Sequence, residues 1–236
     1  ANRSSNQGVP SLVRKVFPDG NLAPSSKGEG EDYGLGFDLL GGRLNAKVVY
    51  FTSSEKGRVN TPGFGGADAR NTRVMEAFAG VLVGAGLPIA ASQWTSIYQT
   101  YTPPATATSS DFDSEGYEAR LTANLTSNWR LVANYSYTDS GRTHLAEELV
   151  AWYGLKKADG VRLVQGVWHD ASGRFVVDPS AYVAGGTITK WIELGAMNPA
   201  ANLSTLSTAN GLTIAQEIFN LTDNLNQDKE EQEKRW

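Results

Sequence analysis

The sequence predicts a mainly β chain with helical insertions: antiparallel, up-and-down strands that carry one apolar and one polar face, separated by long, partly helical connections. Three observations carry this prediction. Four segments alternate strictly between two classes of residue, two of the links between them are tight turns, and the other links run to about sixty and about a hundred residues, far beyond ordinary connections.

In the first segment Tyr33, Leu35, Phe37 and Leu39 point one way, and Gly34, Gly36, Asp38 and Leu40 the other. In the second, Leu44, Ala46, Val48 and Tyr50 oppose Arg43, Asn45, Lys47 and Val49. The third sets Tyr117, Ala119, Leu121 and Ala123 against Glu118, Arg120, Thr122 and Asn124. The fourth sets Trp129, Leu131, Ala133, Tyr135 and Tyr137 against Asn128, Arg130, Val132, Asn134 and Ser136. A two-residue period is the signature of a strand, because successive side chains leave a pleated chain on opposite sides. Gly41-Gly42 joins the first pair of segments and readily takes the positive φ angles of a hairpin turn; Thr126-Ser127 joins the second pair almost as tightly.

Alternating short and long links fit part of a transmembrane β-barrel, whose strands of roughly 9 to 11 residues are joined by short turns on the periplasmic side and long loops outside. With both tight turns periplasmic, Tyr33, Tyr50, Tyr117 and Tyr137 fall at outer strand ends and Trp129 at an inner end, where interfacial aromatic girdles belong. The expected lipid-facing residues are Tyr33, Leu44, Val48, Tyr50, Tyr117, Leu121, Trp129, Leu131, Tyr135 and Tyr137. The expected lumen-facing residues include Asp38, Lys47, Glu118, Arg120 and Asn134, groups that are costly in lipid and well placed in water. A soluble antiparallel sheet with one wet face explains the alternation equally well, but not the loop asymmetry together with the aromatic placement. The expected organisation is an extracellular loop end (1–32), a barrel hairpin (33–52), a long extracellular loop with a helix (53–114), a second hairpin (115–138) and a long, partly helical extracellular loop (139–236).

Within the loops, 69–83 has helical character, with Val74, Phe78, Val81 and Leu82 on one side and Gly84, Gly86 and Pro88 ending it. A second helix is expected from His144 to about Lys157, capped by Thr143, with Leu145, Leu149 and Trp152 as its apolar stripe. A third follows Asp178-Pro179 and takes in Tyr182, while 189–194 is ambiguous. The last begins at Thr213, which forms a capping box with Gln216, and runs through Ile214, Ile218 and Leu221. Between them 166–177 reads as a short hairpin turning at Ser172-Gly173.

Bulk composition excludes some functions. The 236 residues include 21 basic and 25 acidic side chains, a formal charge of -4 that offers no positive field for nucleic acid. There is no cysteine, which removes disulfides, thiolate metal sites and cysteine nucleophiles. The most apolar run, 77–91, is broken by Gly80, Gly84, Gly86 and Pro88 and falls short of the roughly 18 residues of a membrane-spanning helix. The chain starts at Ala1 without methionine or signal peptide and stops at Arg235-Trp236 after a charge run, so it is expected to be an internal piece of a longer protein.

No catalytic, metal or cofactor site is expected. His144 and His169 have no partner at metal-ligand spacing, and Asp111, Asp113, Ser114 and Glu115 lack the glycine and spacing of a calcium loop and read as a solvated loop end. Glu147 and Glu148 belong to the wet face of a helix, with no nucleophile or oxyanion motif beside them. Gly63-Phe64-Gly65-Gly66 lacks the lysine and the preceding strand of a phosphate-binding loop, and 228–235 reads as an exposed, charge-paired helix end. The loop aromatics Trp94, Tyr98, Tyr101, Trp152, Tyr153, Trp168 and Trp191 are expected chiefly as packing for the loops' own small cores, with ligand contact as the other use.

Two stretches carry a family likeness. Glu29-Gly30-Glu31-Asp32-Tyr33-Gly34, leading into Phe37-Asp38-Leu39-Leu40-Gly41-Gly42-Arg43-Leu44-Asn45-Ala46 and Tyr50-Phe51, resembles a barrel hairpin of TonB-dependent receptors. So do Glu115-Gly116-Tyr117-Glu118, Leu121-Thr122-Ala123-Asn124, Asn128-Trp129-Arg130-Leu131 and Asn134-Tyr135-Ser136-Tyr137-Thr138. The likeness covers about a third of the chain, without a plug domain, a TonB-contacting box or a barrel-closing final strand, and four strands are far short of the roughly 22 of such transporters. It implies energised uptake of a nutrient ligand, a metal chelate or a glycan, across the bacterial outer membrane. The implied partners are outer-membrane lipid, the remainder of the barrel and plug, and TonB acting through the plug. The alternative is a soluble or surface-displayed, non-catalytic binding module whose open sheet is covered by the helices around 69–83 and 144–157.

Overall fold

In the computed structural model the described residues are 1–8, 15–60, 67–84, 91–101, 107–126, 128–160, 162–197 and 203–233. The four alternating segments form the middle of an antiparallel sheet: β2 (Lys27–Leu39), β3 (Leu44–Asn60), β4 (Thr108–Asn124) and β5 (Arg130–Thr143). A fifth strand, β1 (Asn2–Gln7), adds to the free edge of β2, giving the order β1-β2-β3-β4-β5 with every neighbour antiparallel. The sheet is open; among the described residues no strand closes it into a barrel.

The strands run further than their alternation. β2 to β5 hold 13, 17, 17 and 14 residues, and the additional length lies on the side away from the two tight turns. There both faces are largely polar, with Phe51, Val59 and Phe112 isolated among polar neighbours, so no two-residue period marks the strands. The same reason hides β1, a wholly polar strand whose six residues pair only with 27–32 of β2.

The two turns differ in detail from expectation. Leu39 pairs with Leu44, so the first turn takes four residues, and Leu40, Gly41 and Gly42 all lie at positive φ (57°, 61° and 84°). Two glycines alone do not turn the chain; Leu40 leaves the strand and accepts a conformation that its side chain disfavours. In the second hairpin Asn124 pairs with Arg130, and the N–H of Leu125 donates to the carbonyl of Trp129 (2.9 Å). Ser127 lies outside the described residues.

One irregularity shapes the far end of the sheet. Glu55 pairs with Phe112 and Arg58 with Ser110, so Lys56 and Gly57 bulge opposite Asp111. Gly57 takes φ 68°, and its N–H, deprived of a ladder partner, donates to the carboxylate of Asp111 (2.8 Å). The bulge is satisfied by the side chain of the residue it displaces.

The long connections carry α1 (Ala67–Gly84) and α2 (Ala91–Tyr101) between β3 and β4, and α3 (Glu147–Tyr153), α4 (Thr187–Ala196) and α5 (Ile214–Glu233) after β5. Two small ribbons intervene, β6–β7 (Lys157–Ala158 with Arg162–Leu163) and β8–β9 (Val167–His169 with Phe175–Val177), and a 3-10 turn follows at Pro179–Ala181. The hairpin around Ser172-Gly173 and the turn after Asp178-Pro179 are as the sequence predicts, although the latter is one turn and not a full helix. The capping box also forms: the N–H of Thr213 donates to Oε1 of Gln216 (2.8 Å), and that of Gln216 to Oγ1 of Thr213 (3.2 Å).

The expected helix from His144 to Lys157 is shorter. Thr143 ends β5 instead of capping a helix, and His144 and Ala146 both take left-handed φ values (52° and 51°) before the helix starts at Glu147. That entry is held by β4: the N–H of Ala146 donates to the carbonyl of Ser109 (2.9 Å), while Ser109 donates through both N–H and Oγ to the carboxylate of Glu148.

Both long connections contribute to one core. Val74, Met75 and Phe78 from α1 are buried with Leu149, Val150 and Tyr153 from α3, Ile188 and Trp191 from α4, and Ile214, Ile218, Leu221 and Leu225 from α5. Tyr153 and Trp191 meet edge to face, 5.6 Å between centroids. At its heart Glu217, wholly buried, accepts from Arg70 (Nη1, 2.8 Å) and from Arg73 (Nε, 2.8 Å; Nη2, 3.1 Å). A second polar clasp joins Asn226 to the backbone of Leu163, accepting its N–H (2.9 Å) and donating to its carbonyl (3.1 Å).

Candidate functional site

Antiparallel pairing with tight turns fixes register, and register turns the alternation of each strand into continuous rows. Tyr33 pairs with Tyr50, Tyr50 with Tyr117 and Tyr117 with Tyr137, a row of four tyrosines across four strands. The next row is Leu35, Val48, Ala119 and Tyr135; then Phe37, Ala46, Leu121 and Ala133; then Leu39, Leu44, Ala123 and Leu131. All ten residues expected on the apolar side belong to these rows except Trp129, which precedes β5 at the next alternate position.

Among the described residues most large side chains of the apolar rows stay exposed, although Ala123 is buried. Leu35 is 68% exposed, Tyr135 63%, and Tyr33, Phe37, Leu39, Tyr117 and Leu131 about half, while Val74, Met75 and Phe78 of α1 and Leu149, Val150 and Tyr153 of α3 are buried in the core they share; the side chains of Val81 and Leu82 lie outside the described residues. On β5 the band from Tyr137 to Trp129 spans about 27 Å of chain at ~3.4 Å per residue. Tilted by ~40° that is roughly 20 Å of height, close to the ~25 Å apolar band of outer-membrane barrels.

The opposite face also runs in rows. Gly36, Lys47, Arg120 and Asn134 form one; Gly34, Val49, Glu118 and Ser136 lie above it, and Asp38, Asn45, Thr122 and Val132 below. All five polar candidates therefore share one face, with the cations Lys47 and Arg120 directly opposite one another and Glu118 and Asp38 in the flanking rows. Like charges paired across strands repel, and the flanking carboxylates offset part of that repulsion. A concavity of about 790 Å³ on the β2–β3 part of the sheet is lined by Asp32, Asp38, Lys47, Glu118 and Phe51, among others. Phe51 covers Gly116, its cross-strand partner: a Cβ at Gly116 would lie 2.8 Å from the ring.

Beyond the tyrosine row, towards the helices, the apolar face becomes acidic. The hydroxyl of Tyr33 donates to Glu31 (2.8 Å) and that of Tyr50 to Glu115 (2.7 Å). A concavity of about 450 Å³ there is lined by Glu29, Glu31, Asp113, Glu115 and Asp139 with neighbouring serines. Asp111, Asp113 and Glu115 are strand residues of β4 and not a loop end; Asp111 serves the bulge and pairs with His144 Nδ1 at 3.1 Å.

Among the described residues no group of three or more His, Asp or Glu side chains is placed to hold a metal. His169 stacks on Phe175, 4.3 Å between centroids, and Glu147 pairs with Lys157. Tyr153 and Trp191 are fully buried, Trp152, Tyr98 and Tyr101 pack at the core's margin, and Trp168 is exposed. The side chain of Trp94, Gly63-Phe64-Gly65-Gly66 and the side chains of 228–235 lie outside the described residues.

Two carboxylates of the helical part titrate abnormally. Burial pushes the Glu217 carboxyl up, but hydrogen bonds and charge from Arg73, then Arg70, outweigh it and hold the group below its ordinary 4.5. Asp170, in the β8–β9 turn, is held well below the usual range by the Ser172 hydroxyl and the backbone and guanidinium of Arg174. The Glu217 clasp leaves no local signal along the chain, because its arginines lie 147 and 144 residues away.

No protein-family model matches the chain, and no curated protein matches it. Two solved structures resemble it distantly. One is the ferripyoverdine receptor of the outer membrane of Pseudomonas aeruginosa bound to ferripyoverdine, at 15% identity and a TM-score of 0.37 over 73% of this chain. The other is the FpvAI–pyocin S2 complex, at 16% identity and a TM-score of 0.37 over 73% of this chain. The chain spans 17% of the length of each. No described helix is long and apolar enough to cross a membrane, which says nothing of strands.

Proposed function

We propose that this chain is a wall segment of an outer-membrane β-barrel of the TonB-dependent receptor type, with a helical extracellular cap, and that the complete protein imports a nutrient ligand such as a metal chelate or a glycan. The observation that carries the reading is the tyrosine row standing above three exposed apolar rows, in register across four strands. Such a surface has two physical outcomes, lipid or a covering layer of protein. The alternative of a binding module covered by its helices needs the second, yet Val74, Met75 and Phe78 of α1 and Leu149, Val150 and Tyr153 of α3 are buried with α4 and α5 instead.

On this reading 33–52 and 115–138 hold the spanning hairpins, and 53–114 and 139–236 lie outside the cell with the loop end 1–32. The strands project beyond the bilayer as a polar collar that carries the cap. Asp38, Lys47, Glu118, Arg120 and Asn134 face a wet lumen, which offers them water in place of lipid. Outer-membrane lipid, the rest of the barrel, a plug and TonB acting through that plug are the partners this requires. Uptake of chelated iron and of oligosaccharides by cells with and without the full-length gene tests the transport claim. Uptake of one of them should depend on the gene and fall to background when TonB is removed; uptake that ignores TonB would contradict it.

A further inference from the structure

We infer that the lumen-facing side of the polar collar binds a neutral oligosaccharide, on a strip between Phe51 and Phe112; this rests on the barrel-wall reading above and chooses between its two ligand classes. Beyond the tyrosine level the polar face continues as three rows in register across five strands. Asn2, Asp32, Phe51, Gly116 and Thr138 form the first row, and Ser4, Gly30, Ser53, Ser114 and Ser140 the second. The third is Asn6, Gly28, Glu55, Phe112 and Arg142. Four serines thus set a line of hydroxyls between a row that holds one phenylalanine and a row that holds another.

Two phenylalanines on a wet face call for a reason. Neither packs into the helical core, and both stay partly exposed. Phe51 is seated on backbone: its ring lies over Gly116, where a Cβ would come within 2.8 Å of it, so it forms a fixed apolar platform. The polar groups beside it are open, since the side chains of Asn2 and Asp32 make no hydrogen bond or ion pair among the described residues. A concavity of about 370 Å³ lined by Ser4, Asn6, Ser53 and Glu55, among others, lies over this part of the face, and the larger one of about 790 Å³ reaches it at Asp32 and Phe51.

Charge and chemistry together select the ligand class. The acids of the three rows are Asp32 and Glu55; Arg142 stands in the third row and Arg58 lies 4.0 Å from Glu55, so two acids face two bases. Arg3, Lys27 and its pair partner Lys56 belong to the opposite face. A charged chelate therefore finds no net counter-charge on the strip. A sugar ring matches it, because its C–H face suits a phenylalanine and its hydroxyls both donate and accept, as serine and asparagine side chains do, while the Asp32 carboxylate accepts. The strip faces the lumen, away from sugars borne by the surrounding lipid.

The test uses the full-length protein in a detergent without a sugar headgroup. It is presented to an array of neutral oligosaccharides and, separately, to a ferric tris-catecholate chelate, and the tightest oligosaccharide is carried into titration calorimetry. At least one neutral oligosaccharide should bind, about tenfold more weakly in Phe51→Ala, which removes the platform. Asp32→Asn, an exposed and isosteric change that leaves the fold alone, should also weaken it about tenfold. Thr52→Ala, one residue on and facing the other way, should bind like the parent. Failure of every oligosaccharide to bind, binding that ignores both substitutions, or a chelate whose binding falls in the same two variants would each overturn the inference. Lipid-phase labelling of a cysteine at Leu121 in intact outer membranes separates the two failures. If that labelling persists while oligosaccharide binding fails, this inference alone is lost; if it is absent, the barrel wall itself is wrong and the inference falls with it.

Discussion

Tyr50 and Tyr117 face one another across β3 and β4 with ring centroids 5.0 Å apart, and the Tyr50 hydroxyl reaches one row further out to Glu115. The pair marks a boundary: apolar side chains lie on one side of it and carboxylates on the other, on the same face of the same sheet. Tyrosine suits such a boundary because its ring is apolar and its hydroxyl needs a polar partner.

A charge placed in the apolar rows should therefore cost more than one placed beside it. Leu121→Arg in the full-length protein should lose ~2 to 4 kcal/mol of stability in bilayers, while Thr122→Arg, one residue on and facing the other way, should be near neutral. Denaturant unfolding of both variants in lipid vesicles checks this. Equal losses would mean that the two faces see the same solvent.

Gly116 and Gly36 offer a second contrast. A Cβ at Gly116 would stand 2.2 Å from the backbone oxygen of Tyr137, whereas one at Gly36 meets nothing within 4 Å. Backbone cannot swing aside, so Gly116→Ala should part β4 from β5 and lose more than ~2 kcal/mol, with Gly36→Ala within ~0.5 kcal/mol of the parent. Folded yield and thermal midpoint of the two variants decide it.

Glu217 should make the cap acid-sensitive. Its folded carboxyl lies below the ordinary 4.5, so its contribution is fully present above that value and is lost as pH falls through the folded value. Glu217→Gln leaves two guanidinium groups without their buried counter-charge and should cost about 3 kcal/mol at neutral pH. Hydrogen exchange of α1 and α5 between neutral and acid pH is the readout. The parent should lose protection below pH 4.5, and the variant should be less protected throughout and flatter in that range.

The bulge rests on one carboxylate. Asp111→Ala removes the acceptor of the Gly57 N–H and should cost ~1 to 2 kcal/mol, and Gly57→Ala, at φ 68°, a similar amount through backbone strain. The two losses should be less than additive in the double variant, because both act on the same turn. Full additivity in thermal unfolding would separate the bond from the bulge.

How legible the fold was depended on whether one face of an element is apolar. The rows through Leu35, Phe37 and Leu121 followed from alternation plus two short turns. The outer halves of the same strands, such as 27–32 and 138–143, are polar on both faces and left no period to read. α2 escaped notice because its Ala-Ser-Gln-Trp-Thr-Ser-Ile-Tyr-Gln-Thr-Tyr sequence is rich in β-branched and aromatic residues, weak helix formers held by packing. α5 was legible from Thr213 and Gln216, a local signal. The union of two loops through Arg70, Arg73 and Glu217 was not, since nothing local ties residues that meet only after both loops have folded.

The central claim is that the face carrying Leu121 meets lipid and the face carrying Arg120 meets water. Single cysteines at the two positions, in the full-length protein in intact outer membranes, are compared for labelling by lipid-soluble and water-soluble reagents. The account predicts lipid-phase labelling at Leu121 and water-phase labelling at Arg120. Water-phase labelling at both positions would contradict it and return the sheet to a soluble fold.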